Sequence, residues 1–560
     1  MVACTGVCLL SDLECRDCLG KQLCRRTLGF FAFLVACVGS WMRPPNTNVT
    51  EFLLEGKPAS RVALQFVGSE YTYGELRDAA ADISRFLVEA GGQKGDRVIL
   101  IADNSFFWVA AYLGILQAGL VCVPLPASLV PRDLTYVLEL TEPQFAFMQA
   151  GFLTKQASHF RHLQVVTDHE VACASDQFPV KSFAEITSQG YSSAPLLPSV
   201  DPHDLAALMF TSGSTGKPRG VMVSHGNIVA NTNSIIQYLE LTENDRIMTV
   251  LPFHYCFGTS LLHTHLRVGG TLVIDPRFMY PEKILQRMVD SACTGFAGVP
   301  SHFQILLRSS SLRKKTFPHL RYIQQAGGHL APAFVRELQE ALPHTQIFVM
   351  YGQTEGTARL SYLSPKLLGT KPGSIGKGIP GVKLRVLDES GEEVRPGEVG
   401  EIVAEGDNVT EGYWHAPEET AACFRHGALF TGDLATVDED GFIYVVDRAK
   451  EFLKCGGKRV SCRQLEDRLL EFDGLLEAAV VGIPDDVLGE AVRAFVVPRL
   501  PAGDGLEDRL HLFCKEHMPP ALVPKNIVML KSLPKNSAGK VLRQELKSLL
   551  TSEFADLRHS

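Results

Sequence analysis

Residues Thr211 to Gly220 read TSGSTGKPRG and directly follow an apolar run, Leu205 to Phe210. The run is typical of a buried strand, and the turn after it holds three Gly, two Ser, two Thr and the cations Lys217 and Arg219. Because glycine lacks a Cβ, backbone N–H groups in such a turn can close around an anion, and the hydroxyls add donors. The stretch therefore predicts a strand of an α/β sheet followed by a polyphosphate-binding loop.

The loop is not a Walker A sequence. That motif has four residues between its glycines and then Lys-Ser/Thr, whereas two residues separate Gly213 from Gly216 and Pro218 follows Lys217. A strand followed by a Gly/Ser/Thr loop is also typical of an ordinary flexible connection. The loop alone leaves that alternative open.

The regions around this loop alternate between helical and strand patterns. Helical spacing of apolar residues from Leu76 to Leu87 ends at Gly91-Gly92, and Arg97 to Ile101 then has the pattern of a strand. Repeated alternation predicts an α/β fold, with a large N-terminal domain of mainly parallel sheets covered by helices. Short alternating strands predict a β-rich subdomain at about 376–446. A small α+β C-terminal domain follows.

Length and composition restrict the class of protein. The chain has 560 residues, a net charge of −8 and 46% hydrophobic residues. This length exceeds one hydrophobic core, so at least two domains are expected. The acidic balance disfavours nucleic-acid binding, and no basic stripe is interleaved with aromatic residues. Small molecules are the expected partners.

Residues 1–41 differ in composition from the rest of the chain. Six of the 14 cysteines lie in the first 37 residues, and a short apolar run, Leu28 to Val38, follows three cations. The run is too short to span a bilayer and resembles the apolar core of a signal peptide. Within it, Leu34 to Cys37 resembles a lipoprotein cleavage box. The cysteines from Cys4 to Cys18 would also allow a small metal site. We expect instead a dispensable extension, translation from Met42, no transmembrane anchor and a cytoplasmic enzyme with reduced cysteines.

Two further short segments carry groups suited to a nucleotide. Tyr351 to Glu355, YGQTE, follows a predicted strand, so it lies where open α/β sheets bind ligands. Tyr351 offers a stacking face, Thr354 a donor to phosphate and Glu355 a carboxylate for Mg²⁺. Thr431 to Asp433, TGD, places a carboxylate where it can accept hydrogen bonds from ribose hydroxyls. Each segment alone is also typical of a solvated surface turn.

Five motifs occur in one order: TSGSTGKPRG, YGQTE, TGD, VDRAKEFLKCGGKRV and PKNSAGKVLR. In this combination the chain resembles the adenylate-forming superfamily of acyl-CoA synthetases, luciferases and peptide-synthetase adenylation domains, over about residues 58 to 548. The resemblance implies a two-step reaction. A carboxylate attacks the α-phosphate of ATP to give acyl-adenylate and pyrophosphate, and a thiol then displaces AMP to give a thioester.

The resemblance also implies roles for individual residues. Lys540 would bridge the substrate carboxylate and the α-phosphate, where negative charge grows in the transition state. Glu355 and Thr211 would hold Mg²⁺, and Asp433 with Arg448 would hold the ribose. The residues implied for binding the ATP phosphates and the rest of the nucleotide are Thr211, Ser212, Gly213, Ser214, Thr215, Gly216, Lys217, Gly327, Gly328, Tyr351, Gly352 and Thr354.

A mobile C-terminal domain is a further implication. The large domain would comprise 42–447, the hinge 448–450 with Lys450 as pivot, and the small domain 451–560. Rotation would withdraw Lys540 and present the face that carries Lys454, where Gly456-Gly457 leave room for a pantetheine arm. Arg219 stands where this family usually has Lys, and the segment Val460 to Glu466 also departs from the common pattern. Neither change removes Lys450, Lys454 or Lys540.

The segment Leu251 to Gly258, LPFHYCFG, matches the one that lines the acyl pocket in this superfamily. His254 and Tyr255 stand where amino-acid-activating members carry Asp, so we expect an uncharged or merely polar acid, aliphatic or aryl. His254 is assigned to the catalytic site, although a packed core histidine is the alternative. Coenzyme A is the expected thiol. The alternatives are a carrier-protein phosphopantetheine or, in another class, a nucleotide-binding module without turnover.

Overall fold

The computed structural model describes residues 48–171, 179–188, 197–212, 218–448, 452–455, 458–485, 489–499, 505–535 and 541–556. The extension 1–41, most of the glycine-rich loop (Gly213 to Lys217), the hinge residue Lys450 and the candidate catalytic Lys540 lie outside these ranges. All described residues belong to one compact unit, Thr47–Ser560.

Two large sheets form the N-terminal part. The first begins with β1 (Val62–Phe66) and β2 (Ser69–Thr72). The second holds seven strands: β3 (Arg97–Ile101), β4 (Val121–Leu125), β5 (Phe145–Met148), β6 (Gln164–Thr167), β7 (Val180–Ser182), β8 (Leu205–Ser212) and β9 (Pro218–Ser224). The chain then completes the first sheet, which has nine strands, with β10 (Arg246–Thr249), β11 (Thr271–Ile274), β12 (Gly295–Gly298), β13 (Tyr322–Gln325), β14 (Gln346–Tyr351), β15 (Ser361–Leu363) and β16 (Lys377–Gly378).

The strand pairing explains where loops gather. Within the nine-stranded sheet, β1 and β10 to β14 pair in parallel, and β2, β15 and β16 add antiparallel edges. In the seven-stranded sheet β9 is antiparallel to β8, so the glycine-rich stretch connects a hairpin. Parallel strands end at one edge, and the loops after β12, β13 and β14 therefore lie together.

Two smaller sheets follow. The β-rich region forms one from β17 (Lys383–Leu387), β18 (Val399–Glu405), β19 (Phe424–Arg425), β20 (Ala428–Val437) and β21 (Ile443–Arg448). The C-terminal region forms another from β22 (Phe452–Cys455), β23 (Lys458–Ser461), β24 (Leu475–Asp485), β25 (Gly489–Pro498) and β26 (Asn526–Met529). The predicted fold class is confirmed.

Helices cover these sheets. They are α1 (Val49–Leu54), α2 (Tyr73–Glu89), α3 (Phe106–Gln117), α4 (Pro131–Thr141), α5 (Ala150–Gln156), α6 (Phe183–Thr187), α7 (His225–Leu239), α8 (Cys256–Val268), α9 (Pro281–Asp290), α10 (Pro300–Ser309), α11 (Pro332–Ala341), α12 (Pro417–Cys423), α13 (Cys462–Leu470), α14 (Leu506–His517) and α15 (Arg543–Asp556).

Helix α2 shows how local sequence sets an element. Thr72 accepts a hydrogen bond from the Glu75 N–H, and Glu75 accepts one from the Thr72 N–H, so a capping box begins the helix. The apolar face from Leu76 to Leu87 is buried, and Gly91 beyond the end has a φ of 93°. Helix α3, apolar around its whole circumference, is buried from Phe107 to Leu116.

The described cysteines and helices can be compared with what disulfide bonds and membrane spans require. No disulfide bond joins the seven cysteines in the described ranges, and five of them are buried. Among the described helices, none combines the length and apolar character that a membrane span needs.

Candidate active site

A cavity of about 450 Å³ lies at the carboxyl end of the nine-stranded sheet. The loop from Gly327 to Leu330 after β13 and the loop from Tyr351 to Gln353 after β14 form one wall. Asp433 on β20 forms another, and residues of the C-terminal region close the far side: Arg463, Glu466, Asp467, Lys535, Val541 and Arg543. Its volume is in the range of small-molecule sites.

Tyr351 and Asp433 meet inside this cavity. The phenolic O–H of Tyr351 donates to Asp433 Oδ2 at 2.6 Å, and Gln353 Nε2 donates to the Tyr351 oxygen at 3.3 Å. Burial, followed by the nearby carboxylate, raises the pKa of Tyr351 well above its usual range, so the phenol keeps its proton. On β21, Arg448 is the register partner of Asp433. Tyr351 and Asp433 together present a carboxylate acceptor beside an aromatic ring.

Glycines bring backbone close to this space. A Cβ on Gly352 would lie 2.1 Å from the carbonyl oxygen of Ala358, so no larger residue fits there. Gly327 has a φ of 81°, and a Cβ on it would lie 2.9 Å from Val299 Cγ1. These positions keep the wall thin where the ligand would approach.

Glu355 lies beside the strand that leaves the glycine-rich loop. Tyr413 donates its O–H to Glu355 Oε1 at 2.7 Å, and the Arg219 guanidinium lies 5.3 Å from the centre of the Tyr413 ring. Strand β9 holds this arrangement, because the N–H of Trp414 donates to the Gly220 carbonyl at 2.8 Å. Packing thus brings the end of TSGSTGKPRG to Glu355, although Glu355 does not line the described cavity.

The remaining nucleotide residues lie near the same edge. Thr211 lies one residue before the end of β8 and pairs in register with Arg219. Thr354 Oγ1 is 3.5 Å from Cys256 Sγ, which connects YGQTE to the start of helix α8. Gly213 to Lys217 and the side chains of Ser212 and Arg448 fall outside the described residues, so their predicted roles remain predictions.

The segment that contains Lys540 is anchored at both ends. Lys535 Nζ donates to Glu477 Oε1 at 2.7 Å, and Arg543 forms a two-pronged ion pair with Glu466 in which Nη2 donates to Oε2 at 3.0 Å. The N–H of Val480 also donates to Glu466 Oε1 at 2.7 Å. Lys535 and Val541, on either side of 536–540, both line the cavity.

His329 connects the cavity wall to helix α13. Its Nε2 lies 2.7 Å and 2.8 Å from the two carboxylate oxygens of Asp467, and Arg463 Nη2 donates to its Nδ1. Since Arg463 donates to Nδ1, the ring hydrogen must be on Nε2, where it donates to Asp467. Burial, followed by the Arg463 charge, lowers the pKa of His329 and favours this neutral form.

Like Glu355, the predicted catalytic residues Lys454 and His254 do not line the described cavity. The side chain of Lys454 on β22 is exposed, and neither it nor His254 is among the described lining residues. Burial lowers the pKa of His254 to about 4, and its Nε2 has no hydrogen-bond partner among the described residues. The histidine is therefore neutral near pH 7 and has an unused ring nitrogen.

Sequence reasoning did not assign roles to Tyr413, Arg463, Asp467 or Arg359. Tyr413 is hydrogen-bonded to Glu355, which lies 58 positions away in the sequence. Asp467 is hydrogen-bonded to His329, 138 positions away. No local sequence pattern reveals such contacts. No group of three or more His, Cys, Asp or Glu side chains with metal-binding geometry occurs within the described ranges.

Comparisons with known proteins bear on this site. The profile of the AMP-binding enzyme family matches residues 53–414, and that of the AMP-binding enzyme C-terminal domain matches 464–540. A long-chain-fatty-acid–CoA ligase of Bacillus subtilis (strain 168) is 30% identical over 536 residues, which cover 90% of this chain and 94% of the relative. A feruloyl-CoA synthase of Amycolatopsis sp is 32% identical over 492 residues, 87% of this chain and 95% of the relative.

One similar protein has been solved with its reaction intermediate bound. The o-succinylbenzoate CoA synthetase of Bacillus subtilis, in complex with its acyl-adenylate intermediate, has a TM-score of 0.77 and 27% identity, covering 89% of this chain and 98% of that one. The same synthetase has been solved with ATP and a magnesium ion. The resemblance inferred from the five motifs is confirmed: the chain belongs to the AMP-binding enzyme family and is an AMP-forming acid–thiol ligase of the acyl-CoA synthetase type.

Proposed function

We propose that this enzyme activates an aliphatic or aryl carboxylic acid with ATP and transfers the acyl group to coenzyme A in the cytosol. The observation that carries the proposal is the joint construction of one cavity by the loops after β13 and β14, Asp433, and both flanks of the Lys540 segment. Such a cavity can hold a nucleotide and a carboxylate together, as the first half-reaction requires.

In the first half-reaction Asp433 accepts hydrogen bonds from the ribose, and Tyr351 supports that carboxylate. The residues of the glycine-rich loop bind the β- and γ-phosphates. Glu355 and the Thr211 hydroxyl offer the hard oxygen ligands that Mg²⁺ prefers, and Mg²⁺ when bound neutralises phosphate charge. Lys540 binds the substrate carboxylate and the α-phosphate, so that the two anions can approach and the charge at phosphorus is stabilised.

In the second half-reaction the C-terminal domain turns about Lys450. Support comes from the exposed position of Lys454, which lies outside the cavity while the Lys540 flanks lie inside it. Rotation exchanges these two surfaces and gives the pantetheine thiol access to the adenylate. A carrier-protein phosphopantetheine would use the same thiol chemistry, so it remains the alternative acceptor.

The test follows pyrophosphate, AMP and thioester separately with a panel of fatty and aryl acids. We expect acid-dependent pyrophosphate release without coenzyme A, and acyl-CoA with AMP when coenzyme A is added. Lys540→Ala should lower adenylate formation by on the order of a hundredfold, as loss of a preorganised charge does, and should largely spare thioester formation from supplied acyl-adenylate. Release of ADP, or equal loss in both steps, would contradict the proposal.

A further inference from the structure

Arg359 is a buried cation on the acyl side of the site. It is 1% exposed, and its guanidinium carbon lies 4.1 Å from the centre of the Phe257 ring. Its Nε lies 3.4 Å from Met350 Sδ, a weak acceptor, and its Nη2 has no hydrogen-bond partner among the described residues. Tyr238 also interacts with the guanidinium, but the unpartnered Nη2 leaves donor capacity unused inside the protein.

Two other shielded arginines are paired with carboxylates. Arg308 pairs with Glu337, and Arg543 pairs with Glu466. Arg359 forms no such ion pair with any carboxylate that the structure describes. A buried charge without a counter-ion lowers the stability of the folded protein. Binding of an anion beside it would offset that cost.

Phe257 places this guanidinium next to the large cavity. The ring belongs to the predicted acyl-pocket segment, and its Cδ1 lies 3.9 Å from where a Cβ on Gly327 would be. Gly327 lines the cavity. A single aromatic ring thus separates the cavity wall from the guanidinium of Arg359.

A second buried polar group, the amide of Gln324, lies on the same side of the nine-stranded sheet as Met350. Gln324 is 1% exposed, and neither atom of its amide has a hydrogen-bond partner among the described residues. In register it lies opposite Phe348 of β14, so it points to the same side of the sheet as Phe348 and Met350. Arg359 contacts Met350. An amide and a cation, both with unused hydrogen-bonding capacity, therefore lie on the same side of this sheet.

A small void lies next to Cys256, which precedes Phe257, and Thr357. It measures about 20 Å³, close to the size of one water molecule. Both apolar and polar side chains line it, among them Ala207, Met209, Val223, Ile228, Tyr112, Asn231, Thr259, Ser260 and His263. A void of this size has no room for an alkyl chain.

We infer that Arg359 recognises a second carboxylate at the far end of the acid, so that the preferred substrate is a short aliphatic or aryl dicarboxylic acid. The inference rests on the proposed function and specifies the acid beyond the uncharged or polar one expected from sequence. Rotation of the Phe257 ring opens the guanidinium to the cavity. A carboxylate can then accept paired, charge-assisted hydrogen bonds from it, and Gln324 can donate a further one.

The test compares acids of matched carbon skeleton with and without the distal carboxylate: butanedioate with butanoate, hexanedioate with hexanoate, and benzene-1,4-dicarboxylate with benzoate. Pyrophosphate release gives kcat/KM for each acid, and the ratio of diacid to monoacid is the readout. We expect the wild type to favour the diacid, and Arg359→Met to lower that ratio by on the order of a hundredfold. Arg359→Lys, which keeps the charge but not the paired donors, should fall between them.

Arg287→Met is the matched control, because Arg287 donates at 2.7 Å to the Phe66 carbonyl at the edge of the sheet and should leave the ratio unchanged. A wild-type preference for monoacids, or equal ratios in wild type and Arg359→Met, would overturn the inference and leave the proposed function standing. The wild-type ratio needs no variant, so it decides even if Arg359→Met fails to fold. Absence of pyrophosphate release with every acid, in protein that still binds ATP, would overturn the proposed function and this inference with it.

Discussion

Asp467→Ala tests whether the contact between His329 and helix α13 holds the adenylating arrangement. The two side chains are 20% and 28% exposed, so their bond should contribute more than a surface ion pair, at about 0–1 kcal/mol, and less than a fully buried charge-assisted bond, at about 3 kcal/mol. A value of about 1.5 kcal/mol corresponds to roughly a tenfold shift in the closing equilibrium. Acyl-adenylate formation should therefore fall by up to about tenfold.

The assay is single-turnover pyrophosphate release, measured beside thioester formation from supplied acyl-adenylate. Only the first rate should fall, because in the proposed mechanism the second half-reaction uses the rotated domain. Asp473→Ala is the matched control: this carboxylate also belongs to the C-terminal domain, but its side chain is 85% exposed and its ion pair with Arg499 should contribute little. Equal loss in both half-reactions, or an adenylation rate equal to that of the wild type, would refute the role of the His329–Asp467 contact in closure.

The same contact gives a pH dependence with a definite sign. The closed arrangement lowers the pKa of His329 from 6.5, because burial and Arg463 disfavour its protonation. When the domain is open the histidine should titrate near 6.5, so closing loses stability as the pH falls below that value and loses none above it. Adenylation should drop more steeply on the acid side in wild type than in His329→Asn. Parallel profiles for the two proteins would contradict this assignment.

Two further predictions concern the hinge and the extension. Lys450→Pro fixes φ near −65° at the pivot, so pyrophosphate release should persist for one turnover while thioester production collapses, with little change in the thermal midpoint; thioester formation at the wild-type rate would refute rotation. A chain that starts at Met42 should fold and adenylate like the full chain, because the composition changes there; loss of solubility or of adenylation would show that residues 1–41 are needed.

Periodicity predicted the elements well and the site only in part. The spacing from Leu76 to Leu87 and the apolar run before Thr211 each report burial directly, so helix α2 and strand β8 were predictable from the sequence. The Tyr351 and Asp433 pair was predictable only through the order of motifs, since 82 residues separate the partners. Arg359 carries no periodic signal, because its burial depends on Phe257 and Met350 from two other elements.

We expect one loop to link the proposed acid selection to the proposed domain closure. Gly327 approaches the Phe257 ring that covers Arg359, and His329, two residues later, binds Asp467 of the C-terminal region. A backbone so short cannot shift at one end without moving the other, because protein interiors are packed with few voids. A ligand that turns the Phe257 ring therefore changes the surface against which Gly327 packs, and so acts on the contact that closes the site. Occupancy of the acyl pocket and formation of the Lys540 arrangement are thus expected to be coupled, and by reciprocity a variant that weakens closure should also weaken binding of the acid.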